Sequence, residues 1–332
     1  MRVVACPDKF RGTASAAEVA GAVAAAAATH GWRCDRAPVA DGGEGTLDVL
    51  GGPNRRTIVS GPLGDPVEAE WRLDRRDAVV EMARASGLEL VGGPEGNDPI
   101  AATTAGTGEL IVEAVESGAR RIIVGVGGSA TTDGGYGAVT AMEPLARLRG
   151  IEVRVACDVR IPFVEAARRF APQKGAGPAQ VELLTRRLER LVQIYRERFG
   201  VDVSEMPMSG AAGGLAGGLA AALGAELVPG FELVADRINL AETMGGSDLI
   251  VTGEGFLDDQ SFDGKVVGGV IEMAADVGVP VLVVAGQILE QPPSPVEAVS
   301  LADRFGLEAA MSRPLELTEL VVGEKLASLS GR

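Results

Sequence analysis

A glycine-rich segment that directly follows an apolar run constrains this chain more than any other feature. Arg121–Val124 is rich in β-branched residues, and the next stretch, Gly125–Gly137, has the sequence GVGGSATTDGGYG. A strand that ends in glycines, hydroxyls and a carboxylate is typical of anion sites in α/β proteins, because glycine lets backbone N–H groups approach a ligand closely. The helix that follows begins with its positive end toward that ligand. The segment therefore predicts an α/β protein with an anion site.

A second segment, Val39–Thr46, has the same character and the sequence VADGGEGT. Carboxylates repel bare phosphate unless a metal ion lies between them, so two acidic glycine loops indicate phosphate bound together with a divalent cation. The alternative is that both loops are merely tight turns. Finding Asp with Gly-Gly in both loops favours the ligand site.

Composition and charge exclude several classes of protein. The 332 residues include 46 glycines, only 4% are aromatic, and the net charge of −15 argues against nucleic acid or an anionic membrane as a partner. No apolar stretch reaches the ~20 residues of a membrane span.

Three cysteines give no disulfide framework, which indicates a cytoplasmic protein. The single histidine, His30, follows an alanine-rich helix, so catalysis or metal binding by histidine is not expected.

The order of predicted elements indicates two α/β domains. Strand Arg2–Cys6, helix Ala14–Thr29 and strand Arg33–Val39 form a parallel crossover. Three short strands within residues 55–90 are separated by tight turns, which predicts antiparallel pairing there. Parallel character then returns at Arg121–Val126 and Glu152–Cys157.

Further along the chain, the pattern predicts helix Pro178–Phe199, a closely packed glycine segment at Gly210–Gly218, strand Asp248–Thr252 and helix Val266–Val277. We expect a parallel Rossmann or flavodoxin-like domain from residues 1–50 and 240–332, and a mixed-sheet α/β domain from residues 51–239. The active site is expected in the cleft between the domains, because loops at the carboxyl ends of strands bind ligands in such sheets.

The polar residues at these loops are carboxylates, lysines and hydroxyls. A nucleophile elbow, a Walker A sequence and a dinucleotide-binding G-x-G-x-x-G are absent from the sequence. Phosphoryl transfer is the reaction that best fits this set of carboxylates, lysines and hydroxyls, because it depends on positioning and charge neutralisation rather than on a covalent nucleophile.

Seven motifs resemble those of the class I glycerate kinases, in order from residue 3 to about residue 286. They are Cys6–Thr13 (CPDKFRGT), Ala40–Thr46 (ADGGEGT), Glu81–Leu88 (EMARASGL), Thr104–Leu110 (TAGTGEL), Gly127–Gly135 (GGSATTDGG), Pro172–Ala176 (PQKGA) and Thr252–Gly255 (TGEG). The resemblance implies ATP-dependent phosphorylation of D-glycerate to 2-phosphoglycerate, with Mg²⁺. The sequence leaves open whether the protein is a monomer or a homodimer.

Roles for individual residues follow as a hypothesis about that reaction. Asp158 is the first choice for the carboxylate that accepts the hydroxyl proton, with Asp133 as second choice and Lys9 as a further catalytic group. The substrate carboxylate would contact Lys9, Arg11, Ser86, Gly87 and Thr107. The nucleotide phosphates would contact Gly127, Gly128, Ser129, Ala130, Thr131, Lys174 and Lys265. The candidate Mg²⁺ ligands are Asp41, Glu44 and Glu254.

Two departures from the family pattern keep alternatives open. The passage between Gly137 and Glu152 is compressed, and the loop after Asp158 carries Ile161–Phe163 and the charged pair Arg168–Arg169. A kinase for another small sugar acid, such as erythronate or threonate, is therefore one alternative. A non-catalytic binding protein on the same fold is the other.

Overall fold

A computed structural model describes residues 1–262 and 264–331. The chain forms two compact units. Unit 1 comprises Met1–Asp41 with Phe231–Arg332, and unit 2 comprises Gly42–Gly230. The domain boundaries expected from the sequence, at residues 50–51 and 239–240, remain a prediction. None of the described helices is both long enough and apolar enough to cross a membrane.

The strands alternate with helices over much of the chain. The strands are β1 (Arg2–Ala5), β2 (Arg33–Arg36), β3 (Arg55–Ser60), β4 (Pro66–Asp74), β5 (Asp77–Glu81), β6 (Arg121–Gly125), β7 (Glu152–Cys157), β8 (Glu226–Pro229), β9 (Leu249–Thr252), β10 (Phe256–Leu257), β11 (Val281–Ala285), β12 (Gln287–Ile288) and β13 (Glu297–Ser300).

The α-helices are α1 (Ala16–Thr29), α2 (Thr46–Val49), α3 (Ala83–Ser86), α4 (Ala105–Glu116), α5 (Tyr136–Ala141), α6 (Ala166–Phe170), α7 (Pro178–Phe199), α8 (Leu215–Leu223), α9 (Gly230–Arg237), α10 (Leu240–Met244), α11 (Val266–Val277), α12 (Leu301–Phe305), α13 (Leu307–Ser312) and α14 (Pro314–Ser330). Short 3₁₀ helices lie at Glu89–Val91, Leu145–Leu148, Phe163–Glu165, Pro172–Lys174, Ala211–Gly214 and Asp259–Phe262.

The sheet of unit 1 is parallel throughout, in the order β13-β11-β9-β1-β2. Numbered in chain order within the sheet, this is the flavodoxin-like order 2-1-3-4-5, which confirms the predicted parallel fold. From β1 the chain continues to β2 on one side, and it later adds β9, β11 and β13 on the other. The winding therefore reverses between β1 and β9, and ligands of doubly wound sheets bind at the carboxyl ends of the strands at such a reversal.

The sheet of unit 2 is mixed, as the sequence predicts. Its order is β3-β4-β5-β6-β7-β8, with antiparallel pairing from β3 to β5 and parallel pairing from β5 to β8. The turn between β4 and β5 places Arg75 in the left-handed region, with φ of 55°. Because β6 and β7 are parallel neighbours, the glycine loop after β6 and Asp158 after β7 start from one edge of the sheet.

One local expectation was wrong, and one region of the chain was left without a prediction. Strand β2 ends at Arg36 rather than at Val39, because Pro38 has no N–H to donate to a ladder. The N–H groups of Ala37 and Val39 still donate to Ala5 and Pro7 carbonyl oxygens. No element is predicted between Gly218 and Asp248, where the structure contains β8, α9 and α10. Strand β8 is a four-residue edge strand that ends in proline, so its pattern is too short to detect.

Candidate active site

Three carboxylates of unit 1 follow the three adjacent strands β9, β1 and β2 and form what we call the carboxylate cluster: Glu254, Asp8 and Asp41. The N–H of Asp8 donates to the Gly253 carbonyl oxygen at 2.9 Å, which fixes the end of β1 beside the end of β9. Asp8 is only 7% exposed. The cluster therefore lies at the carboxyl edge where the winding of the sheet reverses.

Burial dominates the electrostatics of this cluster. Burial is the main reason that the pKa of Glu254 is raised to about 7; a hydrogen bond from Ser261 and the charge of Lys265 oppose the increase, and the charges of Asp8 and Asp41 add to it. Burial likewise raises the pKa of Asp8 to about 6; Lys9 opposes the increase and Asp41 adds to it. The cluster thus contains carboxyls that exchange protons close to neutral pH.

Two lysines accompany the cluster. The Lys9 N–H donates to Asp8 Oδ1 at 2.7 Å, and Lys9 Nζ lies 3.7 Å from the same oxygen. Lys265 is the residue just before helix α11, and its charge lowers the pKa of both Asp8 and Glu254. The structure therefore groups Lys265, predicted as a phosphate ligand, with the carboxylates of unit 1.

The predicted metal ligands are divided between the units. Asp41 and Glu254 belong to the carboxylate cluster, whereas Glu44 lies in unit 2. Within residues 1–262 and 264–331, no group of three or more His, Cys, Asp or Glu side chains is arranged to hold a metal ion by itself. Glu254 Oε1 is buried and accepts no hydrogen bond from the described residues.

Glu254→Gln should stabilise the metal-free protein at pH 8.5 but not near pH 4.5. The folded-state pKa of Glu254, about 7, exceeds its ordinary value of 4.5, so its favourable contribution is complete below pH 4.5 and is lost as the pH rises through 7. At pH 8.5 the free energy of unfolding of the variant should therefore exceed that of the parent by about 3 kcal/mol. Urea unfolding at both pH values measures it, and exposed Glu272→Gln on α11 is the control. A gain independent of pH would contradict this prediction.

In unit 2, the two acidic glycine loops pack against each other. A Cβ on Gly127 would lie 2.4 Å from Gly43 Cα, so no larger residue fits at that position. Gly128 has φ of +70°, and a Cβ there would lie 2.5 Å from Glu44 Oε1. The approach of these backbones brings the Glu44 carboxylate against the loop that follows β6.

The loop after β6 also pairs with the Ser86–Gly87 turn. The N–H of Leu88 donates to Gly128 O at 2.9 Å, and that of Ala130 donates to Ser86 O at 3.0 Å. The Ser86 and Thr107 hydroxyls are fully buried and lie 2.9 Å from each other in one hydrogen bond. The backbone of the Ser86–Gly87 turn therefore supports the glycine loop, and the Ser86 and Thr107 hydroxyls, both predicted to bind substrate, form a hydrogen bond with each other.

Lys174 is a buried cation on this loop. It is the last residue of the short helix Pro172–Lys174 and is only 4% exposed. Nζ donates to Ser129 Oγ and to the Thr131 carbonyl oxygen, both at 2.6 Å. Burial lowers the pKa of Lys174 to about 8, while the negative charges of Asp133 and Asp158 act to raise it. The arrangement therefore brings a positive charge, two predicted phosphate ligands and two carboxylates into one region.

The two candidate bases differ in their surroundings. Asp133 is 7% exposed, and its oxygens accept four hydrogen bonds, from Thr104 N and Oγ1 and from the N–H groups of Gly135 and Gly137. Three of these bonds reach Oδ2 and one reaches Oδ1, so the carboxylate is held by two segments of the chain. Asp158 is partly exposed, directly after β7.

Sequence analysis missed two polar residues that hold these loops. Asn97 Nδ2 donates to Ala130 O at 3.0 Å and to Lys174 O at 2.9 Å, so one amide joins both segments. Glu81 is 1% exposed; Oε1 accepts from Thr46 N at 3.2 Å, and Oε2 accepts from Arg84 Nε at 3.1 Å. Glu81 lies within a motif already noted, whereas the loop around Asn97 carries no distinguishing pattern.

Three hydrogen-bonding atoms in this region have no partner among the described residues. They are Asn97 Oδ1, Thr131 Oγ1 and Thr132 Oγ1, and all are buried. Buried polar atoms are normally paired with protein or water, so each of these three atoms can still form a hydrogen bond to a water molecule or a ligand.

Comparison with known proteins decides the family. The family model described as "Glycerate kinase family" matches residues 3–144 and 143–321. The chain belongs to the glycerate kinase family. "Glycerate 2-kinase" of Escherichia coli K12 is 38% identical over 94% of this chain and 90% of its own length. "Glycerate kinase" of Bacillus subtilis 168 is 36% identical over 87% of this chain and 85% of its own length.

A solved structure from Salmonella typhimurium LT2, whose description names glycerate kinase 2, has the same fold as this glycerate kinase family member. The TM-score is 0.85 at 34% sequence identity, and the match covers 100% of this chain and 98% of the other. The resemblance stated from the motifs and the predicted α/β fold class are thereby confirmed.

Proposed function

We propose that this enzyme transfers the γ-phosphoryl group of ATP to the 2-hydroxyl of D-glycerate and forms 2-phosphoglycerate. The observation that carries the proposal is the position of Lys174. Its buried ammonium donates hydrogen bonds to the glycine loop, and the charge of Asp158 acts to raise its pKa. Phosphoryl transfer requires a cation for the phosphates and an acceptor for the hydroxyl proton. The name of the Escherichia coli relative supports the 2-position.

Asp158 is the general base in this proposal. A secondary alcohol does not ionise near pH 7, so a carboxylate within reach must accept its proton as the phosphoryl group arrives. Asp133, with four hydrogen bonds already accepted, serves instead to position the loop. The phosphates contact the backbone of Gly127–Thr131 and the ammonium of Lys174.

The donor set of the carboxylate cluster fits Mg²⁺. Hard oxygen ligands are what this ion prefers, and it commonly takes only one or two carboxylates, with water and substrate phosphates completing its shell. One or two of these carboxylates would hold the ion, with Glu254 offering Oε1, which accepts no hydrogen bond from the described residues. When bound, Mg²⁺ neutralises charge on the nucleotide phosphates. Lys265 and Lys9 limit the repulsion within the cluster.

The altered loop after Asp158 does not favour a different substrate. Phe163 is fully buried in a core with Leu188 and Tyr195, and Ile161 packs against the same core. These residues therefore serve packing within unit 2. We also propose a cytoplasmic location, because the reaction uses ATP and the cysteines of the chain are free thiols.

Phosphorus NMR of the product from D-glycerate, MgATP and purified protein tests the proposal. The expected result is a single 2-phosphoglycerate signal. A 3-phosphoglycerate signal would overturn the assigned position, and transfer to erythronate or threonate but not to glycerate would overturn the substrate. Intact ATP with all three acids would contradict the kinase activity itself.

A further inference from the structure

A cavity of about 210 Å³ lies in unit 1, beside the carboxylate cluster. One wall is formed by the segments that follow β1, β9 and β11 at the carboxyl edge of the parallel sheet. The other wall is helix α13. Side chains that line it include Phe10, Arg11, Phe256, Gln287, Leu307 and Met311. The function proposed above assigns no ligand to this cavity, although one of its lining residues, Arg11, was predicted from the sequence to contact the substrate carboxylate.

The floor of the cavity is held by backbone contacts. The N–H groups of Gly286 and Gln287 donate to the carbonyl oxygens of Glu254 and Gly255, both at 3.1 Å. A Cβ on Gly255 would lie 3.0 Å from Arg11 N, so the loops after β1 and β9 are in close contact. The cavity is thus part of the same loop framework that positions Glu254.

The mouth of the cavity is unusually apolar for an exposed surface. Phe256 is 46% exposed, Leu307 57% and Met311 56%, and all three line this one cavity. Grouped exposed apolar side chains mark binding sites more often than isolated ones do. Two polar side chains accompany them: the Arg11 guanidinium, which stacks on planar rings, and the Gln287 amide, which offers a donor and an acceptor.

We propose that this cavity binds the purine base of the nucleotide. The inference rests on the proposed function, in which ATP is the phosphoryl donor. A volume of about 210 Å³ is smaller than the roughly 300–1,000 Å³ of sites that enclose drug-sized ligands, so the cavity suits a single ring system. Glycerate, a small polar anion, would gain nothing from three apolar side chains. A base here would also leave the phosphates near the cluster that fits Mg²⁺, since Glu254 is adjacent to the lining residue Gly255 and Asp8 lies two residues before the lining residue Phe10.

Substitutions at the exposed mouth test the assignment without disturbing the core. Leu307→Ser and Met311→Ser should each weaken ATP binding about tenfold by calorimetry, as expected for loss of apolar contact with a ligand. Binding of tripolyphosphate, which has the phosphates but no base, should not change, and neither should the KM for D-glycerate. Leu320→Ser, 48% exposed on α14 and outside the cavity, is the matched control.

Unchanged ATP affinity in both cavity variants would overturn the proposal. So would an equal loss of ATP and tripolyphosphate affinity, which would indicate a general disturbance of the phosphate site. A shift in molar mass by light scattering with ATP affinity intact would reassign the apolar mouth to contact with a second copy of the chain. Failure of the proposed function is distinguishable, because it would appear as absent phosphoryl transfer in the unsubstituted protein.

Discussion

Asp158→Asn should fold like the parent protein and lose kcat by about 10²–10⁴-fold. The amide keeps the shape of the side chain but cannot accept the hydroxyl proton of the substrate. Asp158 is partly exposed at the end of β7, so the substitution leaves no buried charge without a partner. A coupled assay for ADP gives kcat and KM, and thermal unfolding checks the fold. Turnover close to that of the parent would remove Asp158 from the role of base.

Asp133→Asn provides the contrast that separates a base from a positioning residue. Its four donors would face an amide that can accept at one oxygen only, so the free energy of unfolding should fall by about 1–3 kcal/mol. Asp65→Asn, exposed in the turn between β3 and β4, should change neither quantity. If Asp133→Asn were stable and inactive while Asp158→Asn stayed active, the two roles would be exchanged.

The sequence predicted the elements whose bounds are set by local patterns, such as helix-ending glycines and turn residues. Helices Pro178–Phe199 and Val266–Val277 have the predicted bounds, because a glycine ends each of them in the left-handed conformation, at Gly200 and Gly278. The turn chemistry around residues 61–64 and 75–76 likewise indicated antiparallel strands before the parallel ones. Short elements such as β8, α9 and α10 escaped prediction because too few residues carry their periodicity.

The candidate site was predicted as a set of residues but not as an arrangement. Motif residues at strand ends could be named because the carboxyl edge of a sheet collects them. Their partners could not, since hydrogen bonds such as Asn97 to Lys174 O or Ser86 to Thr107 join segments far apart in the chain. The sequence likewise gave no reason to group Lys265 with Asp8 and Glu254. Burial, which sets the protonation of Glu254, appears only once the strands are assembled.

Lys174→Met should lower kcat/KM by about 10²–10³-fold, a loss of the size seen when one preorganised charge-stabilising group is removed. Methionine fills much the same space, but it donates no hydrogen bond to Ser129 Oγ or Thr131 O and leaves the charges of Asp133 and Asp158 unopposed. Because burial lowers the pKa of Lys174 to about 8, the parent should also lose kcat/KM as the pH rises through 8 and the ammonium is deprotonated. The profile of kcat/KM from pH 6 to 9.5 measures both effects.

Two variants separate the charge of Lys174 from its packing. Ser129→Ala removes one acceptor but keeps the ammonium, so it should retain the alkaline limb of the profile and most of the activity. Lys325→Met, which removes a surface lysine paired with Glu297, should match the parent throughout. An alkaline limb that persisted in Lys174→Met would assign the titration to another group. Activity close to that of the parent in this variant would show that the loop backbone binds the phosphates without a buried cation.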